Sequence, residues 1–283
     1  MITSAATNLP FGLAARAAFG GLTLIPLVPE AEPRLEYIGL DEAVAHGLRI
    51  TEIDHAGSVN DLVVVNPLDV GVLLYEGEEL VGAKQNRVLD RPILVHPNSK
   101  TQIRVNCVER GRWAYRSADF RPAPRAAHPT GRYAARVGGQ GAVWAEIATK
   151  SARLDARSAT EAAEEMYARR AHTLDEYLRA LPRRPGQSGV IVCVGGRVVC
   201  LDYVSRSEVF AGVYAKLLRG YALDALEARV DRPVPEEYVR LLLNRLQRRE
   251  SHDGNVRGRG FLGAEIAVEG ETVALSVFPT KRA

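Results

Sequence analysis

Six segments of five to nine residues follow one another between Asp61 and Glu109, each rich in apolar or β-branched residues and bounded by turn formers. They are Asp61–Asn66, Val70–Tyr75, Glu78–Ala83, Gln85–Leu89, Pro92–His96 and Thr101–Glu109. No helix of ordinary length fits between them, so strand pairing must satisfy most of this backbone. Short strands at this spacing predict a β-sandwich or jelly-roll-like N-terminal half. An earlier strand is expected at Leu22–Val28, with Pro26 favouring a bend or an edge position. A short helix fits Leu40–His46.

The second half changes character. From Arg110 to Arg136 the pattern dissolves into seven arginines, one acid (Asp119) and three prolines, which reads as a long loop. Helices are expected at Ala142–Asp155 and from a capping-box spacing at Ser158/Glu161 to Leu181, with Tyr167, Ala171, Leu174, Leu178 and Leu181 buried. Val190–Tyr203 reads as a hairpin turning at Gly195-Gly196, apolar on both faces and therefore central. Helices follow at Ser207–Glu227, with Ser205 and Glu208 at capping-box spacing, and from Pro235 to about Glu250. Strands Gly260–Val268 and Thr272–Phe278 close the chain around Glu269-Gly270. The class is α+β: a β-rich half (1–110), an Arg-rich loop or linker (111–141) and a mixed helical half (142–283) with the hairpin 190–203 and returning strands 260–278. The returning strands make this division compatible with one domain.

A chain of 283 residues, 46% hydrophobic and 25% charged, is an ordinary globular composition with length for a large core. A net charge of +3 supplies no global field toward nucleic acid or membrane, so any basic site must be local. Cys107, Cys193 and Cys200 form no CxxC pair, which suits a reducing cytoplasm better than a disulfide framework. In a two-residue turn Cys193 and Cys200 fall on one face of their hairpin as core thiols. The N-terminus lacks signal-peptide character and no apolar run approaches the ~20 residues needed to cross a bilayer. A cytoplasmic protein without membrane contact is expected.

Tyr75–Leu89 carries the densest chemistry: Y-E-G-E-E-L-V-G-A-K-Q-N-R-V-L. If Glu76-Gly77 forms a hairpin turn, Tyr75 faces Glu78, and Asp69 ends opposite Lys84. Glu76 then sits at a solvated tip, and Glu78 and Glu79 point to opposite faces, unable to flank one substrate as acid and base. Lys84, Gln85, Asn86 and Arg87 are harder to explain. They read either as a charged edge strand, with Lys84 paired to Asp69 and Arg87 solvated, or as a site floor offering amide and cationic donors to an anionic ligand.

Glu109, Arg112 and Trp113 close the following strand, where a Trp beside arginines either stacks a ring or covers a core edge. Trp113, Tyr115, Phe120 and Tyr133 interleave with arginines through the 110–136 stretch, as a nucleic-acid or polyphosphate surface would; the mild net charge favours a solvated loop instead. Gly258-Arg-Gly260-Phe-Leu-Gly263 spells G-x-G-x-x-G but precedes strands, and Gly138-Gly139-Gln140-Gly141 precedes a helix without a P-loop lysine. The histidines at 46, 55, 96, 128, 172 and 252 have no zinc spacing. The sequence calls for no metal and no cofactor.

Three blocks, E-E-L-V-G-A-K-Q-N-R-V-L (78–89), C-V-E-R-G-R-W (107–113) and L-L-R-G-Y-A-L-D-A-L (217–226), together resemble the ARG-and-rhodanese-phosphatase-superfamily-associated protein domain family, over roughly Leu22 to Phe278. The family's name reflects association with ADP-ribosylglycohydrolases and rhodanese-phosphatase proteins, which implies a setting in ADP-ribose, nucleotide or phosphate metabolism. The resemblance points to Glu79, Lys84, Gln85, Asn86, Glu109, Arg112 and Trp113, and more weakly to Arg219, Tyr221 and Asp224. Where the family's third block carries a serine before the tyrosine, this chain has Gly220.

The leading functional expectation is a module that binds, and processes if it is an enzyme, a nucleotide-like anionic ligand. Lys84, Gln85, Asn86 and Arg112 would be donors, Trp113 the stacking ring, and Glu79 or Glu109 the candidate base. The alternative is a non-catalytic assembly protein that forms homo-oligomers or docks a partner enzyme. A third reading is nucleic-acid binding through the Arg-rich stretch.

Overall fold

The computed structural model describes residues 9–54, 57–228 and 232–280. Residues 1–8 of the N-terminal reading, and His55, lie outside the described residues. The α+β class holds, as three β-sheets and helices of unequal length.

The largest sheet has nine strands, all antiparallel. Its centre is the apolar hairpin Gly189–Val194/Arg197–Val204. Leu22–Pro29 flanks it on one side and is itself backed by Phe11–Leu13 and Ala17–Phe19, so Pro26 is not on an edge. On the other side lie Glu271–Pro279, Phe261–Val268, Asn255–Gly258 and Glu250–His252. The C-terminal hairpin turns where expected, with Glu269 and Gly270 both at positive φ. The sheet is covered on both faces. One face packs against helix Ser207–Ala225 and its neighbours. The other carries a separate core with helix Glu236–Leu246. A bulge between Val192 and Cys193 shifts the central register to Val192↔Cys200, which places Cys193 in one core and Cys200 in the other. Both are buried core thiols, but they do not share a face.

The β-rich N-terminal stretch forms two smaller sheets. Gly71–Leu74 pairs with Ile93–Val95 and, in parallel, with Tyr37–Gly39. A six-stranded sheet runs Phe120–Ala126, Glu78–Gly82, Arg87–Leu89, Ser99–Cys107, Asp61–Asn66, Arg49–Glu52. It curls until its ends meet in a bridge between Thr51 and Asp119, reinforced by Arg49 donating to both Asp119 oxygens at 3.0 and 3.1 Å. Leu62, Val64, Leu80, Ile103 and Phe120 fill the interior.

The turn at Glu76-Gly77 is present, but it is not a solvated hairpin tip. Its flanks pair in different sheets, Gly71–Leu74 in one and Glu78–Gly82 in the other, so the turn joins two layers and Glu76 is fully buried. Gly77 adopts φ +88°, and a Cβ there would sit 2.7 Å from Arg132 Cδ. Asp69 accordingly never meets Lys84; it accepts from Asn98 Nδ2 at 2.8 Å.

The Arg-rich stretch is not one loop. Phe120–Ala126 is a strand that tolerates Pro122 and Pro124 beside a register shift. A helix then starts at Pro129, where a missing N–H costs nothing, and runs to Arg153 with a break at Gly139. The expected Ser158–Leu181 helix is two, Glu164–Arg169 and Ala171–Ala180. Tyr167, Leu174 and Leu181 are buried as expected, Tyr177 joins them, and Ala171 is exposed. Helix Ser207–Ala225 has no side-chain cap: Ser205 instead hydrogen-bonds Tyr37 Oη at 2.8 Å.

Gly220 sits where helix Ser207–Ala225 passes close to the end of strand Phe120–Ala126. A Cβ there would lie 2.8 Å from the Ala126 carbonyl oxygen and 3.0 Å from that of Ala127. Gly220→Ala or Gly220→Ser must therefore push the helix off the strand. Although either residue favours helix over glycine, the expected result is a loss of about 1–3 kcal/mol in urea unfolding. A stabilised Gly220→Ala protein would contradict this account of the contact.

Candidate functional site

Backbone geometry, rather than strand alternation, assembles the polar residues. After Gly82 (φ +126°) and Ala83 (φ +36°) the chain leaves the sheet, so Lys84, Gln85 and Asn86 form a loop before Arg87–Leu89 resumes pairing. All four residues of the Lys84–Arg87 run are buried, which removes both the edge-strand reading and a solvated Arg87.

Arg112 holds this loop. Its guanidinium donates to the carbonyls of Ala83 (2.7 Å), Ala114 (2.8 Å) and Gly82 (3.3 Å), to Asn86 Oδ1 (3.2 Å) and to Glu109 Oε2 (2.6 Å). Glu109 also accepts from the Asn86 N–H at 3.3 Å and from Thr160 Oγ1 at 3.1 Å, with the Arg116 guanidinium 3.6 Å away. Burial alone would raise the Glu109 carboxyl, but Arg112, the Asn86 N–H and Arg116 hold it below the usual range. A carboxylate with both oxygens engaged and its proton affinity lowered is a poor general base.

Gln85 links the loop to its surroundings, accepting from Arg87 Nη1 at 3.0 Å and donating to the Arg110 carbonyl at 3.4 Å. Arg87 reaches the Ser58 carbonyl at 3.1 Å and lies 3.8 Å from Glu52, which also accepts the Lys84 N–H at 3.2 Å. Over this buried layer stand two rings, Trp113 (47% exposed) and Tyr115 (49% exposed), with the Lys84 ammonium 5.1 and 5.2 Å from their centroids. Arg116, next in the chain to Tyr115, is more than half exposed; Arg110 is too, but its guanidinium lies over the Trp144 ring at 5.2 Å and pairs with Glu161 at 3.7 Å. Lys84, Gln85, Asn86, Glu109, Arg112 and Trp113 thus come together. Glu52, Arg110, Tyr115, Arg116 and Thr160 complete the cluster; long-range register brings Glu52 and Thr160 here, and no local pattern announces them.

Glu79 lies elsewhere. It pairs with Arg125 Nε at 2.7 Å, and Arg125 also reaches the partly exposed Glu164 at 3.3 Å. Burial raises the Glu79 carboxyl despite Arg125. The third block divides as well. Arg219 pairs with Asp175 at 3.0 Å on the surface. Asp224 accepts from Thr130 N and Oγ1, both at 3.0 Å, and from Lys150 at 2.8 Å, so it caps the helix that starts at Pro129.

Tyr221 belongs to a second, fully buried network. Asp202 accepts from Tyr221 Oη (2.5 Å), Tyr75 Oη (2.9 Å) and both terminal nitrogens of Arg132 (2.5 and 2.9 Å). Burial opposes its charge, but Arg132 and the two tyrosines hold its carboxyl below the usual range. Glu76 continues the network to Arg136 at 2.5 Å and to Ser276. With Arg112 on Glu109, Arg125, Arg132 and Arg136 make four of the seven arginines in the 110–136 stretch that are spent on internal carboxylates.

No group of His, Cys, Asp and Glu among the described residues has metal-site geometry, and no helix among them is long and apolar enough to cross a membrane. No curated protein and no solved structure matches the chain. The profile described as the ARG and Rhodanese-Phosphatase-superfamily-associated Protein domain matches residues 12–278, a span that takes in all three sheets and the Arg112 cluster. With nearly its whole length covered, the chain belongs to that family.

Proposed function

We propose that this protein binds a nucleotide-like anionic ligand, of which ADP-ribose is the representative, on the surface formed by Trp113, Tyr115 and Arg116. The observation that carries the reading is a pair of half-exposed rings set over a buried ammonium, with the exposed Arg116 guanidinium on the residue that follows Tyr115. Rings at such a position offer stacking faces to a base, and Arg116 offers charge-assisted bonds to a diphosphate. Gln85, Asn86, Glu109 and Arg112 act beneath them by fixing the loop that carries Lys84, since their polar groups are engaged within the protein. The family's association with ADP-ribosylglycohydrolases supports the choice of probe.

Isothermal titration with ADP-ribose, NAD and ATP tests the reading. Trp113→Ala is expected to weaken binding about 10–100-fold, the worth of one stacked base. Arg116→Ala should lower affinity and flatten its salt dependence. Absence of saturable heat with all three probes overturns the proposal, and a large oligomer by light scattering would then favour the assembly reading.

A further inference from the structure

The nine-stranded sheet ends in two edges of opposite character. One edge strand, Glu250–His252, is exposed throughout and charged, with His252 paired to Asp253 at 3.0 Å. Short length and charge are the usual protection against a further strand adding on. The opposite edge is F-G-L-A-A-R-A-A-F, Phe11 to Phe19, which holds one charged residue, Arg16, and no proline. It supplies Phe11–Leu13 and Ala17–Phe19, both paired to Leu22–Pro29 and to no other strand among the described residues.

The hydrogen bonds fix which way this edge presents its backbone. Ala14 N–H donates to the Pro26 carbonyl at 2.9 Å, and Glu30 N–H to the Pro10 carbonyl at 3.1 Å. Antiparallel alternation then turns the N–H and C=O of Gly12 inward to Val28, its register partner. Those of Phe11 and Leu13 point outward. Phe11 is buried in the core beneath helix Glu236–Leu246, and Leu13 packs on the same core only partly covered.

We infer that a second copy of this chain adds here, through an antiparallel pairing of Phe11–Leu13 with its own copy about a two-fold axis at Gly12. In that register Phe11 and Leu13 of each copy form hydrogen-bonded pairs with Leu13 and Phe11 of the other, so every outward N–H and C=O of the segment gains a partner. The axis stands perpendicular to the sheet. Phe11 and Leu13 of both copies therefore share one face and prolong the core that already holds them. Arg16 lies beyond the paired segment, so no like charges are opposed. A charged foreign strand would set its charges against Phe11 and Leu13; the copy sets only apolar side chains there. A pairing this short makes a reversible dimer.

Sedimentation velocity of the full chain over a concentration series should show the mass rising from one chain to two. Gly12→Asp places two carboxylates face to face across the axis and should weaken the dimer roughly tenfold. Within one chain it is tolerated, because a Cβ at Gly12 meets only Val28 Cγ2, at 4.0 Å, so Tm at low concentration should match the parent. Gly12→Cys should form an intermolecular disulfide on mild oxidation, since facing residues at a non-hydrogen-bonded position, about 4.5 Å apart at Cα, are within reach of one. The native cysteines are buried and do not compete. This variant carries the test if Gly12→Asp fails to fold. Ala18→Cys, exposed on the same edge but remote from the axis, controls for chance collision and should cross-link more slowly by roughly tenfold. A mass of one chain throughout, a dimer that Gly12→Asp leaves unchanged, or equal cross-linking of Ala18→Cys each overturns the inference.

Discussion

Asp202→Ala is expected to destabilise the protein by about 3–5 kcal/mol, because it strands the Arg132 guanidinium in the centre of the molecule. Arg132 is fully buried, and its pKa is raised well above the usual value: burial opposes the charge but Asp202 and Glu76 outweigh it. A guanidinium is not deprotonated in proteins, so Arg132 stays charged when Asp202 is lost. The remaining acid, Glu76, is 4.0 Å from Arg132 Nε and already serves Arg136 and Ser276. Tyr221 Oη also loses its acceptor. For a chain of this size the loss corresponds to a drop in Tm of roughly 6–20 °C. The double variant Asp202→Leu/Arg132→Met should be less damaged than Asp202→Ala, since the single change leaves a buried charge and the double change leaves none. Urea unfolding of the three proteins decides it. An Asp202→Ala protein within 1 kcal/mol of the parent would show that Arg132 finds another partner.

The same network explains which parts of the molecule are legible in the sequence. The strands from Asp61 to Cys107 follow from apolar spacing, and the hairpin 189–204 from its two apolar faces. Those patterns record burial of whole faces, which repeats along the chain. Glu76, Glu78 and Glu79 are misread by the same logic, because a buried carboxylate looks like a turn or surface residue until its partner is known. Their partners are Arg136, Lys216 and Arg125, 46 to 138 positions away. The arginines suffer the converse error: a stretch dense in arginine reads as a solvated loop, whereas four of them neutralise buried acids, the nearby Glu109 and the distant Glu76, Glu79 and Asp202. The polar run Lys84–Arg87 stands out in the sequence because it interrupts an apolar pattern. Its shape is not legible, since Ala83 at positive φ takes the chain out of the sheet and no residue type at that position signals it. Cys193 and Cys200 part company for the same reason, a single bulge that reverses alternation.

Arg112→Ala should be the most informative lesion at the candidate site. One guanidinium serves three backbone carbonyls, one amide and one carboxylate, and no neighbour can replace that fan of donors. Loss of the group leaves Glu109 buried with only the more distant Arg116, at a cost of about 3–5 kcal/mol. Arg112→Lys keeps the charge without the planar fork and should fall between the two. The pH dependence separates the carboxylate's share from the carbonyls' share. Glu109 titrates lower in the folded protein than in the unfolded chain, where its value is about 4.3. Its stabilising contribution is therefore present above that value and fades as pH falls through the folded-state pKa. In Arg112→Ala the largest of the contributions that depress Glu109 is gone, so this share of the stability is lost. The stability gap between parent and variant should consequently be widest near pH 7 and shrink toward pH 3, leaving the part owed to the carbonyls of Gly82, Ala83 and Ala114. A gap that stays constant with pH would mean that Glu109 contributes nothing to it, and that Arg112 acts through the backbone alone.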